Sequence, residues 1–192
     1  MSTLAFALAA TIKHDGHGGI ADLLSTPEQA LTWVHENNHL LTELLGQPLE
    51  APPSAQPELL LMRRAVRGLF ARAVAPGAPS KADADRLMDA GEALGVVNDA
   101  AARLGATYLE WEDEPRLRWR LRTKDPLELL TGAIGRSAID FLAGPDRARL
   151  RACPAARCVK YFLQDDPRQT WCSPACGNRE RVNRHYRKRA AG

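Results

Sequence analysis

A chain of 192 residues, 45% hydrophobic and 26% charged, has the size and composition of one folded domain plus a small appendage. No run approaches about eighteen apolar residues, which argues against a membrane-spanning helix. The apolar start, Met1 to Ile12, lacks a basic leader and meets Lys13, His14 and Asp15 at once, so it reads as a first core helix and the expected location is cytoplasmic. The net charge of +3 is unevenly spread: residues 151–192 hold ten Lys/Arg against three acids, the rest 16 against 20, which points to a polyanionic partner for the tail alone.

After the first helix, His14-Asp15-Gly16-His17-Gly18-Gly19 reads as a loop; His14 and His17, with Trp33, are also candidates for lining a small-molecule pocket or, for the histidines, holding a metal. Thr26-Pro27-Glu28-Gln29 is a helix start, with Thr26 as N-cap, Pro27 at the first position and Gln29 closing a capping box. That helix is expected to end at Asn37-Asn38. His35-Glu36-Asn37-Asn38-His39 spells a zinc-peptidase pentad, but two asparagines are poor helix residues and no third ligand is evident, so metallopeptidase chemistry stays a remote alternative and the chain is read as no enzyme.

Gly46 to Pro57, with four prolines, is a loop. A helix follows from about Glu58 to Ala75, with Leu59, Met62, Val66, Leu69, Phe70 and Ala73 on its apolar side and Arg63, Arg64, Arg67 and Arg72 largely opposite. Pro76-Gly77-Ala78-Pro79 breaks it, and Ser80 with Asp83 predicts a new helix through about Leu94, weakened near its end by Gly91 and Gly95. Tyr108–Glu112 and Leu117–Leu121 alternate apolar and charged residues around Asp113-Glu114-Pro115, a β-hairpin signal. Trp33, Trp111 and Trp119 are expected in the core or hairpin, pocket lining being the alternative. Asp125-Pro126-Leu127-Glu128 starts a helix to Leu142 that Gly144-Pro145 stops, and a helical turn from Asp146 to Arg151 leads to the first cysteine.

All four cysteines lie in the tail, spaced Cys153-x4-Cys158-x13-Cys172-x3-Cys176. Two close pairs of thiolates across a short loop match a tetrahedral zinc ion, and four cysteines with no open position make that zinc structural; two disulfides are the alternative. Val159–Leu163 reads as a short strand, Thr170-Trp171 as its returning partner, and Ser173-Pro174 as the cap and first residue of a last helix that carries Cys176 in its first turn. A knuckle, a hairpin and a helix bearing the second ligand pair is treble-clef-like geometry.

At 100° per residue, Arg181, Arg184 and Lys188 share one narrow arc of this helix, flanked by Arg187 and His185, while Cys176, Val182 and Tyr186 fall opposite with Arg179 and Asn183. One side is thus expected to pack on the zinc lobe and the other, Arg181, Arg184, Arg187, Lys188 and Arg189, to meet nucleic acid. Arg179 reads either as a partner of Asp165 or Asp166 or as a further contact. With Tyr186 turned inward, stacking residues for single strands are sparse, which favours double-stranded DNA over RNA; docking a protein is the other reading.

Cys153-Pro154 … Cys158, Trp171-Cys172-Ser173 … Cys176-Gly177-Asn178-Arg179 and Arg184-His185-Tyr186-Arg187 together closely resemble the bacterial CGNR zinc finger. The part before it, with its first helix, its Thr-Pro-Glu helix start, its Trp-containing hairpin and the helix before the finger, resembles the ABATE domain usually joined to that finger. The resemblance implies a stress-responsive transcription regulator whose finger binds DNA. The expected architecture is mainly α: residues 1–148 a helical regulatory or oligomerisation domain with a β-hairpin, residues 149–192 the finger with structural Zn2+. A homodimer, to give one small finger enough interface, and a small-molecule effector complete the expectation.

Overall fold

The structure, a computed structural model, describes residues 3–15, 19–74, 83 and 87–190, with residues 187, 188 and 190 described by their backbone alone. Thr3 caps α1 (Leu4–Ala9), accepting from Phe6 N, and a small hairpin of β1 (Ile12–His14) and β2 (Ile20–Asp22) follows. Thr26 and Gln29 form the expected capping box at the start of α2 (Pro27–Glu36). The helix does end at Asn37, yet a second one, α3 (Asn38–Leu45), restarts at once and closes on Gly46 at φ 76°. Asn38 explains the restart: its amide donates to Leu49 O at 2.8 Å and accepts from Leu49 N at 3.0 Å, tying the chain after α3 back to its beginning.

α4 (Gln56–Ala73) runs through the middle of the molecule, with α1, α5 (Ala90–Leu104) and α6 (Pro126–Ala143) packed around it. Its apolar side, Leu59, Met62, Val66, Leu69 and Phe70, is buried as its period requires. The expected arginine side is not wholly in solvent: Arg63 and Arg67, which border the apolar arc, are buried, at 5% and 1% exposure. Arg63 makes a two-pronged bond to the Asp22 carboxylate at 2.6 and 2.7 Å and donates to Thr11 Oγ1 at 3.0 Å. Partners supplied from distant parts of the chain let a guanidinium at the edge of the apolar arc be buried with its charge.

α5 also departs from expectation. It starts at Ala90, where Asp89 accepts from Gly91 N and Glu92 N, and so runs on well past Leu94, with Gly91 and Gly95 in its first half; Ser80 lies outside the described residues. α5 and α6 cross closely because α6 offers glycines there: a Cβ at Gly135 would stand 2.8 Å from Val97 O. β3 (Gly105–Trp111) and β4 (Pro115–Leu121) form the predicted hairpin, Leu109 facing Leu117. Trp33 is in the main core, Trp119 packs partly against it, and Trp111 is 68% exposed at the hairpin tip. Asp125 caps α6 through Leu127 N and Glu128 N.

A 3-10 turn (Pro145–Arg149) delivers the chain to β5 (Leu150–Ala152), which pairs antiparallel with β6 (Tyr161–Leu163), and α7 (Pro174–Ala190) ends the fold. The architecture is mainly α with a β-hairpin and a small treble-clef-like C-terminal finger. Tyr161 of β6 joins Phe6, Phe70 and Phe141 in an aromatic cluster, its ring edge-on to Phe70 at 5.6 Å, so the finger shares the core of the body.

Candidate metal centre and nucleic-acid interface

The first cysteine pair sits where β5 turns into β6. Cys153 N donates to Lys160 O at 2.9 Å, Cys158 N to Ala155 O at 2.9 Å, and Arg157 takes φ 60° to fold the knuckle. The predicted return strand at Thr170-Trp171 does not form; β5, ahead of the first cysteine, is the partner of β6 instead. Residues 164–170 are held as a compact turn: Gln164 Nε2 donates to Pro167 O and Gln169 O, Gln169 N to Asp166 O. The second pair brackets the start of α7, where Ser173 Oγ accepts from Cys176 N at 3.3 Å, the predicted cap.

Cys158 and Cys172 sulfurs are 3.8 Å apart, Cys172 and Cys176 3.6 Å, Cys158 and Cys176 3.9 Å, and all four lie within 4.8 Å of one another. Disulfide sulfurs would stand at about 2.0 Å. Four sulfurs about 2.3 Å from a central zinc stand about 3.8 Å apart in a tetrahedron, so the donor set and its spacing fit that ion. The local electrostatics agree. Cys153 is pulled down to about 2 because the Cys158 and Cys172 thiols bond to it, and Cys158 is pushed up to about 11 chiefly by giving that bond; Cys172 is pushed up as well by its bonds to both neighbours. Thiolates this close repel each other, and a dication relieves that repulsion.

The four residues Cys176-Gly177-Asn178-Arg179 each have a mechanical task. Cys176 supplies a sulfur. A Cβ on Gly177 would stand 2.9 Å from Trp171 Cδ1, so glycine lets the indole cover the start of α7. Asn178 Oδ1 accepts from Arg181 Nη2. Arg179 Nη2 donates to Cys176 Sγ at 3.4 Å, while Asp165 and Asp166 pair with Arg149 and Arg168; the expected pairing of Arg179 with either aspartate is therefore replaced by a bond to sulfur. Residues 149–189 match the CGNR zinc finger, and residues 2–145 match ABATE, a family described as "Putative stress-induced transcription regulator".

The chain belongs to the ABATE family. A search of curated proteins returned no match. The finger of this ABATE protein takes a structural zinc ion, and its two families are a regulator and a zinc finger, neither described as an enzyme. Among the described residues no helix is long and apolar enough to cross a membrane.

Arg181, Arg184 and Arg189 stand exposed on α7; the side chains of Arg187 and Lys188 lie outside the described residues. Val182 and Tyr186 were expected against the zinc lobe, but they are 52% and 65% exposed. The finger is shorter than its helix: Asn183 is the last half-buried residue among those described, and Arg184, His185, Tyr186 and Arg189 beyond it are exposed. Sequence reasoning missed Glu180, whose carboxylate accepts from Ala156 N at 2.8 Å and so ties α7 to the knuckle. Its being the one acid in a basic helix was the available signal. Elsewhere, His14 ends β1, His17 lies outside the described residues, and Trp33 is buried at 6% exposure. His35 closes α2 and His39 opens α3, on either side of the break at Asn37; among the described residues the four cysteines are the only group of three or more candidate metal ligands brought together.

Proposed function

We propose that this ABATE protein is a DNA-binding transcription regulator of the cytoplasm. In this reading Cys153, Cys158, Cys172 and Cys176 hold the zinc, residues 149–192 form the DNA-binding unit, and residues 1–148 form the unit that dimerises and answers an effector. The observation that carries it is the orientation of Glu180. The one carboxylate of α7 turns back onto the knuckle, and among the described residues no acid pairs with Arg181, Arg184 or Arg189. Among the described residues Arg181, Arg184 and Arg189 therefore stand as positive charge without an acidic partner on a rod about 25 Å long, fixed at one end by the metal. Guanidinium forks suit phosphates and guanine edges alike, and a helix of this width enters the major groove. Two copies on neighbouring half-sites supply the interface that one finger lacks.

The test is a salt titration of duplex binding by fluorescence anisotropy. Neutralising four or five phosphates predicts a log–log slope of about −4, and Arg184→Ala lowers it by roughly one. A slope near zero contradicts the reading. The exposure of Tyr186, in ring contact with His185 at 6.3 Å, favours a second reading, in which a single strand stacks on this aromatic end of α7. Preference for single strands over the duplex, lost in Tyr186→Ala, would choose it.

A further inference from the structure

Among the described residues the long strands are β3 and β4, of seven residues each; β1, β2, β5 and β6 have three. β3 and β4 pair with each other alone, so each keeps an open edge, and the two edges differ. β4 is guarded: it begins with Pro115, and Arg116, Arg118 and Arg120 alternate along it. β3 has no proline, no lysine or arginine and no bulge against β4. Its one charge, Glu110, is drawn back to Arg118 of β4 at 2.7 Å. A seven-residue edge without these devices is a template for another strand.

The two faces of the hairpin differ as well. Glu110, Arg116, Arg118 and Arg120 all point to one side. The other side carries the cross-strand pairs Leu109–Leu117 and Trp111–Pro115, which continue the row of Trp119 outward past the body. Leu109 is 62% exposed, Leu117 and Trp111 68%, and no other large apolar side chain described in the body exceeds 45%. A two-stranded ribbon with a bare apolar face is marginal in water, and further strands stabilise it.

Charge decides which strand fits. In a two-fold antiparallel pairing, residues directly opposite share a face of the sheet. Two β4 strands set arginine opposite arginine wherever their three arginines overlap. Two β3 strands centred on Tyr108 oppose no like charges: Glu110 meets Ala106, Leu109 meets Thr107, and Trp111 meets Gly105 of the second copy. Gly105 has no side chain to obstruct the facing indole, and an aromatic ring opposite an edge glycine stabilises it. The same register carries the acidic tip, Glu112-Asp113-Glu114, toward the exposed Arg103 and Arg122 at the foot of the neighbouring hairpin. Among the described residues none of these five belongs to an ion pair within the chain.

We propose that the β3 edge pairs with β3 of a second copy of this chain, making one four-stranded antiparallel sheet across a two-fold axis at Tyr108. The proposal rests on the reading that residues 1–148 dimerise and names the surface that does so. It involves neither the finger nor nucleic acid.

The experiment is sedimentation equilibrium of the full-length, zinc-loaded protein and of two double variants, Thr107→Lys with Leu109→Lys, and Thr107→Glu with Leu109→Glu. Both positions are exposed on the uncharged face, so the variants fold, with the far-ultraviolet spectrum of the parent. The parent is expected to be a dimer. Either variant alone sets two pairs of like charges directly opposite and weakens the dimer about tenfold or more. An equimolar mixture of the two variants associates again, because lysine then faces glutamate. Hydrogen exchange slows on association in β3 and not in β4. A monomeric parent overturns both this proposal and the reading that the body dimerises. A dimer that both variants keep, a mixture no tighter than either variant alone, or slowed exchange in β4 instead of β3 overturns the β3 pairing and leaves dimerisation to another surface.

Discussion

Arg67 on α4 donates from Nη2 to the carbonyl oxygen of Val159, 2.7 Å away, so a side chain of the helical body grips the backbone of the finger. The same guanidinium bonds the Asp83 carboxylate and the Ala9 carbonyl oxygen, and lies 5.1 Å from the Tyr161 ring centroid. At 1% exposure it is among the largest fully buried side chains of the chain. Body and finger are consequently joined through one charged group with partners in three separate stretches of sequence, around Ala9, Asp83 and Val159–Tyr161. That junction is what couples the body to the finger.

Arg67→Met tests the junction. It keeps the apolar stem but leaves the buried Asp83 carboxylate without its guanidinium and frees two carbonyl oxygens. Breaking such a pair costs about 3–5 kcal/mol, read as a lower denaturation midpoint. Adding Asp83→Leu removes the buried carboxylate as well, and the double variant is expected to recover a large part of the loss. A single variant as stable as the parent shows that the ion pair does not support the fold.

Removal of the metal separates the two parts differently. The buried cluster of the finger consists of Cys153, Ala155, Cys158, Phe162 and Cys176, so three of its five members are sulfurs around the metal position and little apolar surface is left without it. The body has its own extensive core. A strong chelator is therefore expected to melt α7, 17 residues of helix, while leaving the far-ultraviolet signal of the body and its cooperative unfolding. Complete loss of the helical signal means that the body depends on the finger; no loss means that α7 does not depend on zinc.

Much of this was readable in the sequence, and what was readable was local. The caps at Thr26, Asp125 and Ser173 follow from side-chain chemistry within three residues, the β3–β4 hairpin from strict alternation, and the sulfur cluster from spacing. What escaped depends on distance along the chain. Arg63 and Arg67 border the apolar arc of α4, and partners far along the chain, among them Asp22, 41 residues away, and Val159, 92 away, let these charges be interior. The strand before Cys153 competes with Thr170-Trp171 for β6 and wins because Leu150, buried at 1% exposure, has the body to pack on. Val182 lies off the face of α7 that Cys176, Glu180 and Asn183 turn to the knuckle, and Tyr186 lies beyond the last half-buried residue of the helix.

Arg179 predicts a metal phenotype rather than a DNA phenotype. Its Nη2 bonds the Cys176 sulfur, its Nε is buried without a partner, and the charge beside a thiolate lowers the energy of the metal-bound state. Arg179→Ala is expected to weaken zinc about 10- to 100-fold in a competition with a chromophoric chelator. With zinc in excess its duplex affinity returns close to that of the parent, unlike Arg184→Ala, which stays weak at any zinc concentration. A variant that keeps its zinc but loses duplex binding would make Arg179 a contact residue.

Tyr161 gives the alkaline edge of stability. Burial pushes its hydroxyl up to about 12 from the ordinary value of 10, Asp83 adding to the rise and the nearby Arg67 opposing it. The folded protein thus holds the phenolic proton more tightly than the unfolded chain. The resulting stabilisation is complete below pH 10 and is lost as the pH climbs from 10 to 12, by about 2–3 kcal/mol in all. Tyr161→Phe keeps the edge-on contact with Phe70 and gives up only a long bond, 3.4 Å, to Arg67 O, so it costs under about 1 kcal/mol at neutral pH. Between pH 10 and 12 the parent is expected to lose denaturation midpoint faster than the variant, until the two meet or cross. Parallel pH profiles would mean that this hydroxyl ionises as easily in the fold as in the open chain, and that Tyr161 is not sealed at the junction of body and finger.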